Sequence, residues 1–262
     1  MLLVIDVGNT NVTIAVFREK DLIVQWRLIT EATRTTDEYG VQMRNLFELA
    51  GIDFKAIDAI VIASVVPSLN QRLKRVAELY FGLTPLFVDH TSDTGLKILY
   101  EPPSDVGADR IVDAVAAVAK YGAPCIVVDF GTATTFNAIN SAGEYLGGVI
   151  APGIMISSEA LFSRAAKLPR VEIKRPNKVI GSSTTGAMQS GIYHGYAALV
   201  DGVLEQMIAE MGSKPRVIAT GGLAPLIATA SKLIEEVDSD LTLEGLRLVY
   251  KRSQLLAADE RE

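Results

Sequence analysis

Cysteine is nearly absent from this chain, with Cys125 the only one among 262 residues. A single thiol excludes an intrachain disulfide framework and is what a reducing cytoplasm leads one to expect. Histidine is almost as scarce, and His90 and His194 show no metal-ligand spacing with Cys125, so no zinc site is expected. Basic residues are not in excess: 25 Lys and Arg face 31 Asp and Glu, a net charge of −6. That balance argues against nucleic acid or an anionic membrane as the main partner, yet leaves a small anionic ligand open. No apolar run reaches the roughly 18 residues of a membrane-spanning helix. The first residues read as a strand, without a basic stretch, apolar centre and cleavage site, so no signal peptide is expected. A Gly-x-Ser-x-Gly elbow is missing, as are spaced glycines after the first apolar run. Their absence counts against a serine hydrolase and a nicotinamide enzyme.

What is present is enough to build a large core. The chain is 49% hydrophobic and 21% charged, the balance of a globular protein. Its length suits one large domain or two of roughly 100–150 residues. Near the start it reads Leu2-Leu3-Val4-Ile5-Asp6-Val7-Gly8-Asn9-Thr10-Asn11, and later Ile126-Val127-Val128-Asp129-Phe130-Gly131-Thr132-Ala133-Thr134. Each copy is an apolar run, an Asp, one apolar residue, a Gly, then small hydroxyl or amide side chains. A buried strand ending in a carboxylate can hold a hydrated Mg²⁺. The Gly lets backbone N–H groups approach a phosphate, and Thr or Asn adds donors. One copy alone could be a hairpin whose Asn and Thr satisfy their own turn. Two copies point to an internal duplication, two lobes with ATP between them.

The remaining pattern is a mixed α/β layout. Strands are expected at Leu2–Ile5, Val12–Phe17 and Leu22–Leu28 as an antiparallel meander, then at Ala59–Val66 and Leu86–Val88. Between them lie a helix from about Asp37 to Ala50, entered by Thr36 or Asp37, and another capped by Ser68 and ending at Gly82. The second half repeats the scheme. It has a helix Ala108–Tyr121, strands Cys125–Val128, Thr134–Ile139, Tyr145–Ile150 and Arg216–Thr220, and helices Ile154–Ala166, Met188–Met211 and Leu223–Leu233. The charged last residues are expected to fray. The lobe boundary is expected near Pro102–Asp105, giving an N-terminal lobe of residues 1–104 and a C-terminal lobe of 105–262.

Three further segments carry chemical types. Ile218 to Ala224 holds paired glycines at a strand-to-helix junction, which allow close approach of an adenine or ribose, or merely a tight turn. Gly181 to Gly186 has the glycine spacing of a P-loop but continues Ala187-Met188, without the Lys and Ser/Thr that would make it one. The stretch from Tyr100 to Arg110 is dense in functional residues. Asp109 suits the first turn of a helix, whose dipole favours an acid there and would tend to lower its basicity. Arg110 opposes that dipole and makes sense if it meets a carboxylate or phosphate.

The ordered set of motifs resembles type III pantothenate kinases, members of the actin-like and sugar-kinase ATPase superfamily. The resemblance runs from Asp6-Val7-Gly8-Asn9-Thr10 through Gly107-Ala108-Asp109-Arg110 and Asp129-Phe130-Gly131-Thr132-Ala133-Thr134. It continues through Gly147-Gly148-Val149-Ile150-Ala151-Pro152-Gly153 and Met188-Gln189-Ser190-Gly191 to Thr220-Gly221-Gly222-Leu223-Ala224. It implies a duplicated, ribonuclease H-like fold of two lobes, each a mixed sheet flanked by helices. It further implies a cytoplasmic homodimer that phosphorylates pantothenate from ATP with Mg²⁺ and a monovalent cation, K⁺ or NH₄⁺, at the first step of coenzyme A synthesis.

Residue by residue, the resemblance implies that Asp6, Val7, Gly8, Asn9, Thr10, Asn11, Val12, Thr13 and Thr132 bind ATP. Asp109 would be the general base. Tyr100, Gly107, Ala108, Asp109, Arg110 and Thr184 would hold pantothenate. Asp129 would bind the monovalent cation, and Asp6 the Mg²⁺ through water. Ser183 stands where Asn is frequent in the family, exchanging an amide for a hydroxyl. From pattern alone the Met188–Met211 helix suits a central core position and a dimer interface equally. Two other readings stay open: an actin-like ATPase or kinase for another small hydroxyl compound, and a regulatory protein that retains the fold. The second is disfavoured by the presence of Asp6, Asp109 and Asp129.

Overall fold

Residues 1–259 are described by a computed structural model; the fraying expected of the charged end falls partly on residues 260–262, outside them. The chain forms two compact units. One comprises Met1–Leu96, Glu101–Ala116 and the residues from Thr242 onward; the other comprises Lys97–Tyr100 and Ala117–Leu241.

In the first unit the apolar runs at the start of the chain form a meander of β1 (Leu2–Val7), β2 (Asn11–Arg18) and β3 (Asp21–Ile29), the run continuous in β1 and alternating in β3. With β4 (Ala59–Ser64) and β5 (Leu86–Val88) they make a five-stranded sheet of order β3-β2-β1-β4-β5. The central strand β1 is buried on both faces, antiparallel to β2 and parallel to β4. Helix α1 (Thr36–Leu49) begins one residue later than its cap, Thr35. The Thr35 Oγ1 accepts from Glu38 N at 3.3 Å while the Glu38 carboxylate accepts from Thr35 N at 2.7 Å. That reciprocal pair satisfies two orphan donors, so the entry is Thr35 and not Thr36 or Asp37. Helix α2 (Pro67–Val76) has no side-chain cap. Pro67 opens it, because a first-turn position needs no N–H donor, and this places Ser68 inside the helix rather than at its cap. Tyr39, Met43, Phe47, Leu69, Leu73 and Val76 from these helices pack with Leu3, Ile5 and Ile62 of the sheet.

The second unit repeats the arrangement. Its sheet is ordered β10-β9-β6-β7-β8, from β6 (Cys125–Phe130), β7 (Ala133–Ile139), β8 (Tyr145–Pro152), β9 (Arg216–Thr220) and β10 (Glu236–Val237). Central β6 is antiparallel to β7 and parallel to β9, as β1 is to β2 and β4. Helix α3 (Ala108–Tyr121) lies in the first unit as far as Ala116 and in the second from Ala117, and α4 (Ile154–Arg164) lies wholly in the second. Helix α5 (Thr184–Met211) buries Ile192, Tyr193, Tyr196, Val200 and Leu204 against the sheet. It is a core helix.

Two departures have clear causes. The helix expected over Leu223–Leu233 stops early, as α6 (Ala224–Ala228). Beyond it, Ser231 Oγ donates to Asp201 on α5 at 2.5 Å and accepts from Leu233 N and Ile234 N, a local alternative that turns the chain out of helix. Conversely, α7 (Leu241–Asp259) and β10 were not expected. Leu241, Leu243, Leu246 and Val249 of α7 are buried, and Gly245 lies so close to the Val112 carbonyl that any Cβ would collide with it. No helix among the described residues is long and apolar enough to cross a membrane.

Candidate active site

The two Asp-x-Gly turns occupy equivalent positions. Asp6 is the penultimate residue of β1, paired with Thr13 on β2 and Ala63 on β4. Asp129 is the penultimate residue of β6, paired with Thr135 on β7 and Thr220 on β9. Both carboxylates are half-buried. Strand alternation turns the flanking Val7 and Phe130 into the core, so the acid is presented at the strand end.

In the first unit, Gly8 N donates to Asn11 O at 2.9 Å, closing a hairpin whose Asn9 and Thr10 are exposed. Val7 and Val12 are paired and fully buried beneath it, so they anchor the loop and their side chains offer a ligand nothing. A Cβ on Gly8 would stand 3.2 Å from Asn11 O, tight enough to disturb the turn. Gly107, Ala108, Asp109 and Arg110 lead into and open α3. Asp109 Oδ1 accepts from Arg110 N at 2.8 Å and lies over Gly107, where a Cβ would be 2.5 Å from it. Only glycine leaves room for the carboxylate there. Burial pushes the Asp109 carboxyl above its ordinary value, outweighing the backbone donor of Arg110 and the charge of that guanidinium. The lowering expected from the helix N-terminus is therefore overridden by desolvation. Arg110 itself is buried, its relative exposure only 7%.

In the second unit, Gly131 N donates to Ala133 O at 3.1 Å, and Thr132 is exposed at the turn. The Asp129 carboxylate sits between two glycines. A Cβ on Gly131 would be 3.0 Å from Oδ2, and one on Gly221 would be 2.5 Å from Oδ1. Gly221 also has φ of +91°, so its place at the β9–α6 junction answers to both conformation and space. Gly153 packs on the carbonyl of Thr132, and Tyr196 Oη donates to the carbonyls of Pro152 and Gly153 at 3.0 and 3.2 Å. The Tyr100 ring lies against Gly147, where a Cβ would be 3.0 Å away. Thr184 and Thr185 are exposed at the start of α5, whose cap is Ser183, its Oγ accepting from Gly186 N at 3.1 Å. The departure at Ser183 therefore keeps a capping residue, since Ser and Asn cap about equally well. Gly181 abuts the backbone of Gly186 and Ala187, which explains the P-loop-like spacing as packing.

Asp6 through Thr13 and Gly107 through Arg110 thus belong to the first unit, and Tyr100, Asp129, Thr132 and Thr184 to the second. Among the described residues there is no cluster of three or more His, Cys, Asp or Glu that could hold a metal ion. Single strand-end carboxylates suit a hydrated Mg²⁺, which keeps most of its waters and takes only one or two protein ligands. Two polar residues were overlooked in the sequence. Thr30 bonds the first hairpin, and Tyr196 braces the second turn through Gly153; a threonine after a strand and a tyrosine in an apolar helix give no local signal of either role.

A model of the type III pantothenate kinase family matches residues 2–206. Type III pantothenate kinase of Koribacter versatilis is 56% identical over 97% of this chain and 96% of its own length. Those of Halalkalibacterium halodurans and Geobacter sulfurreducens are each 54% identical, over 97% of this chain and 100% of theirs. Among solved structures, the ROK hexokinase of Thermus thermophilus matches at TM-score 0.50 and 13% identity, covering 96% of this chain and 99% of that one. The ethanolamine utilization protein EutJ of Carboxydothermus hydrogenoformans matches at TM-score 0.54 and 13% identity, covering 94% and 89%. These two share the fold: the duplicated actin-like architecture, a mixed sheet flanked by helices in each half.

Proposed function

The chain belongs to the type III pantothenate kinase family, and from that premise we propose that it transfers the γ-phosphoryl group of ATP to the primary hydroxyl of pantothenate. The products are 4′-phosphopantothenate, ADP and a proton, the first step of coenzyme A synthesis. The observation that supports this most is Asp109, a desolvated carboxylate over a glycine at the head of an apolar helix. It is the general base of this reading. A carboxylate with a raised pKa is the better proton acceptor, and acceptance of the hydroxyl proton contributes about 10²–10⁴-fold. Most of the acceleration comes from positioning and charge stabilisation, because phosphoryl transfer passes through a loose transition state.

The hairpin Asp6–Thr13 and Thr132 hold the ATP phosphates through backbone and hydroxyl donors. Tyr100, Gly107, Ala108, Arg110 and Thr184 hold pantothenate, with Arg110 directed to its carboxylate. Asp6 would hold Mg²⁺ through water, and Asp129 a monovalent cation, K⁺ or NH₄⁺; both ions supply positive charge against the phosphates. A cytoplasmic location is part of this reading, in keeping with one free, buried cysteine. So is a homodimer. Its surface is assigned to β8 and α4, where Ile150, Met155, Ile156 and Leu161 are exposed and β8 is an edge strand. Helix α5, the other candidate, spends its apolar residues on the core.

The deciding assay is ATP turnover with and without pantothenate, in K⁺ and in Na⁺ buffer. Pantothenate-dependent ADP release that is faster in K⁺ is the expected result. Turnover indifferent to pantothenate would select a kinase or ATPase for another hydroxyl compound, and no turnover in either buffer a regulatory protein.

A further inference from the structure

We infer that Thr30 is a positioning residue for phosphate binding, one that sets the direction of a backbone donor in the first hairpin. The inference rests on the assignment of that hairpin to ATP phosphates. Thr30 follows the last residue of β3, and two of its atoms engage the loop. Its N–H donates to Thr10 O at 2.9 Å and its Oγ1 to Gly8 O at 2.6 Å. The first bond extends the β2–β3 ladder by one step beyond the Asn11–Ile29 pair. The second is a side-chain bond to the tip, across 22 residues of sequence.

Peptide planarity gives that bond its consequence. Gly8 C=O and Asn9 N–H belong to one trans peptide unit and point in opposite directions. With the Gly8 carbonyl drawn onto Thr30, the Asn9 N–H faces away from Thr30, outward from an exposed tip. That peptide would otherwise be free to turn over. The turn changes ψ of Gly8, which has no Cβ to restrict it, and φ of Asn9, a residue type that visits positive φ more readily than most. The hydroxyl therefore selects the peptide orientation in which an amide donor is offered to an anion.

Thr30 is itself held. The following carbonyls are engaged from two helices, Glu31 O by Tyr39 Oη of α1 at 3.3 Å and Ala32 O by Arg72 of α2. The strap from Thr30 to Ala32 thus ties the hairpin to helices already fixed in the core through Tyr39 and Leu73. Preorganised donors cost no reorganisation when the phosphate arrives.

The test compares Thr30→Val, which keeps shape and backbone bond but lacks the hydroxyl, with Thr30→Ser, which restores it. Mg-ATP affinity is measured by calorimetry, and KM for ATP and for pantothenate by steady-state kinetics. The expected result is a roughly five- to tenfold loss of Mg-ATP affinity in Thr30→Val, the size of one hydrogen bond. The pantothenate KM should stay within about twofold, and Thr30→Ser should lie within about twofold of the parent for both. Unchanged ATP affinity in Thr30→Val overturns the inference, as does equal weakening toward both substrates, or failure of Ser to rescue. If the parent binds Mg-ATP but does not phosphorylate pantothenate, the functional reading fails while calorimetry still decides the role of Thr30. A parent that does not bind Mg-ATP overturns both.

Discussion

Gly221 and the carboxylate of Asp129 are in contact across the parallel β6–β9 pair, so close that a Cβ on Gly221 would stand 2.5 Å from Oδ1. The same Cβ would be 2.7 Å from the carbonyl oxygen of Phe130. One glycine thus reserves the space around the acid assigned to the monovalent cation. Gly221→Ala should displace that carboxylate and strain a backbone at φ +91°, at a cost of about 1–3 kcal/mol. We expect a lower urea midpoint together with loss of the K⁺ over Na⁺ preference in turnover. A variant that keeps its cation preference would place the cation elsewhere.

Asp109→Asn should lower kcat by about 10²–10⁴-fold. Its stability should not fall. A carboxylate whose pKa is raised on folding contributes stability below its unfolded pKa and loses it as pH climbs through the folded value, so at neutral pH the charged form is a net burden. The amide removes that burden, and the unfolding midpoint at pH 7 should equal or exceed the parent's. The same shift governs activity. The base is available only when ionised, so kcat/KM should fall on acidification through a pKa above the ordinary carboxylate value. A pH–rate profile with no acidic limb above 3.8 would count against Asp109 as the base.

Cys125 is fully buried in the central strand of the second sheet, and burial pushes its thiol up to about 12. The thiol is the unreactive form, so native protein at pH 8 should resist a disulfide reagent such as dithionitrobenzoate, and the unfolded chain should release one equivalent. The linkage has a sign here too. The folded thiol keeps its proton where the unfolded one ionises, so this residue should erode stability as pH rises from about 9 toward 12. Cys125→Ala, compared by melting temperature across that range, should flatten the alkaline slope.

Ile150 on β8 is 63% exposed and Met155 on α4 is 60% exposed, large apolar side chains on the face assigned to self-association. Ile150→Lys with Met155→Glu should shift sedimentation from dimer to monomer while leaving far-UV circular dichroism unchanged. Retention of the dimer would move the interface to another surface.

Nearly all of the strands, though not their order in the sheets, can be read from local pattern. The runs Leu2–Ile5 and Cys125–Val128 are continuously apolar because both faces of a central strand are covered, and the acid that follows each run stands out against it. Helix α3 matches its apolar stripe from Ala108 to Tyr121, closed by Gly122 at φ +83°. Helix α7 escaped notice because charged residues surround a narrow stripe of Leu241, Leu246 and Val249, and what fixes it is packing against Val112.

The sequence by itself determined the chemical types and their order: an acid, a glycine and small donors at two strand ends, and Asp109-Arg110 after Gly107. Those are properties of neighbouring residues, and covalent spacing with strand alternation is enough to specify them. Only the tertiary structure decided the basicity of Asp109, the glycine reserve around Asp129 and the hold of Thr30 on Gly8. Desolvation, steric exclusion and hydrogen bonding depend on which atoms lie within a few ångströms. For Asp129 with Gly221, and for Gly8 with Thr30, those atoms come from segments distant along the chain.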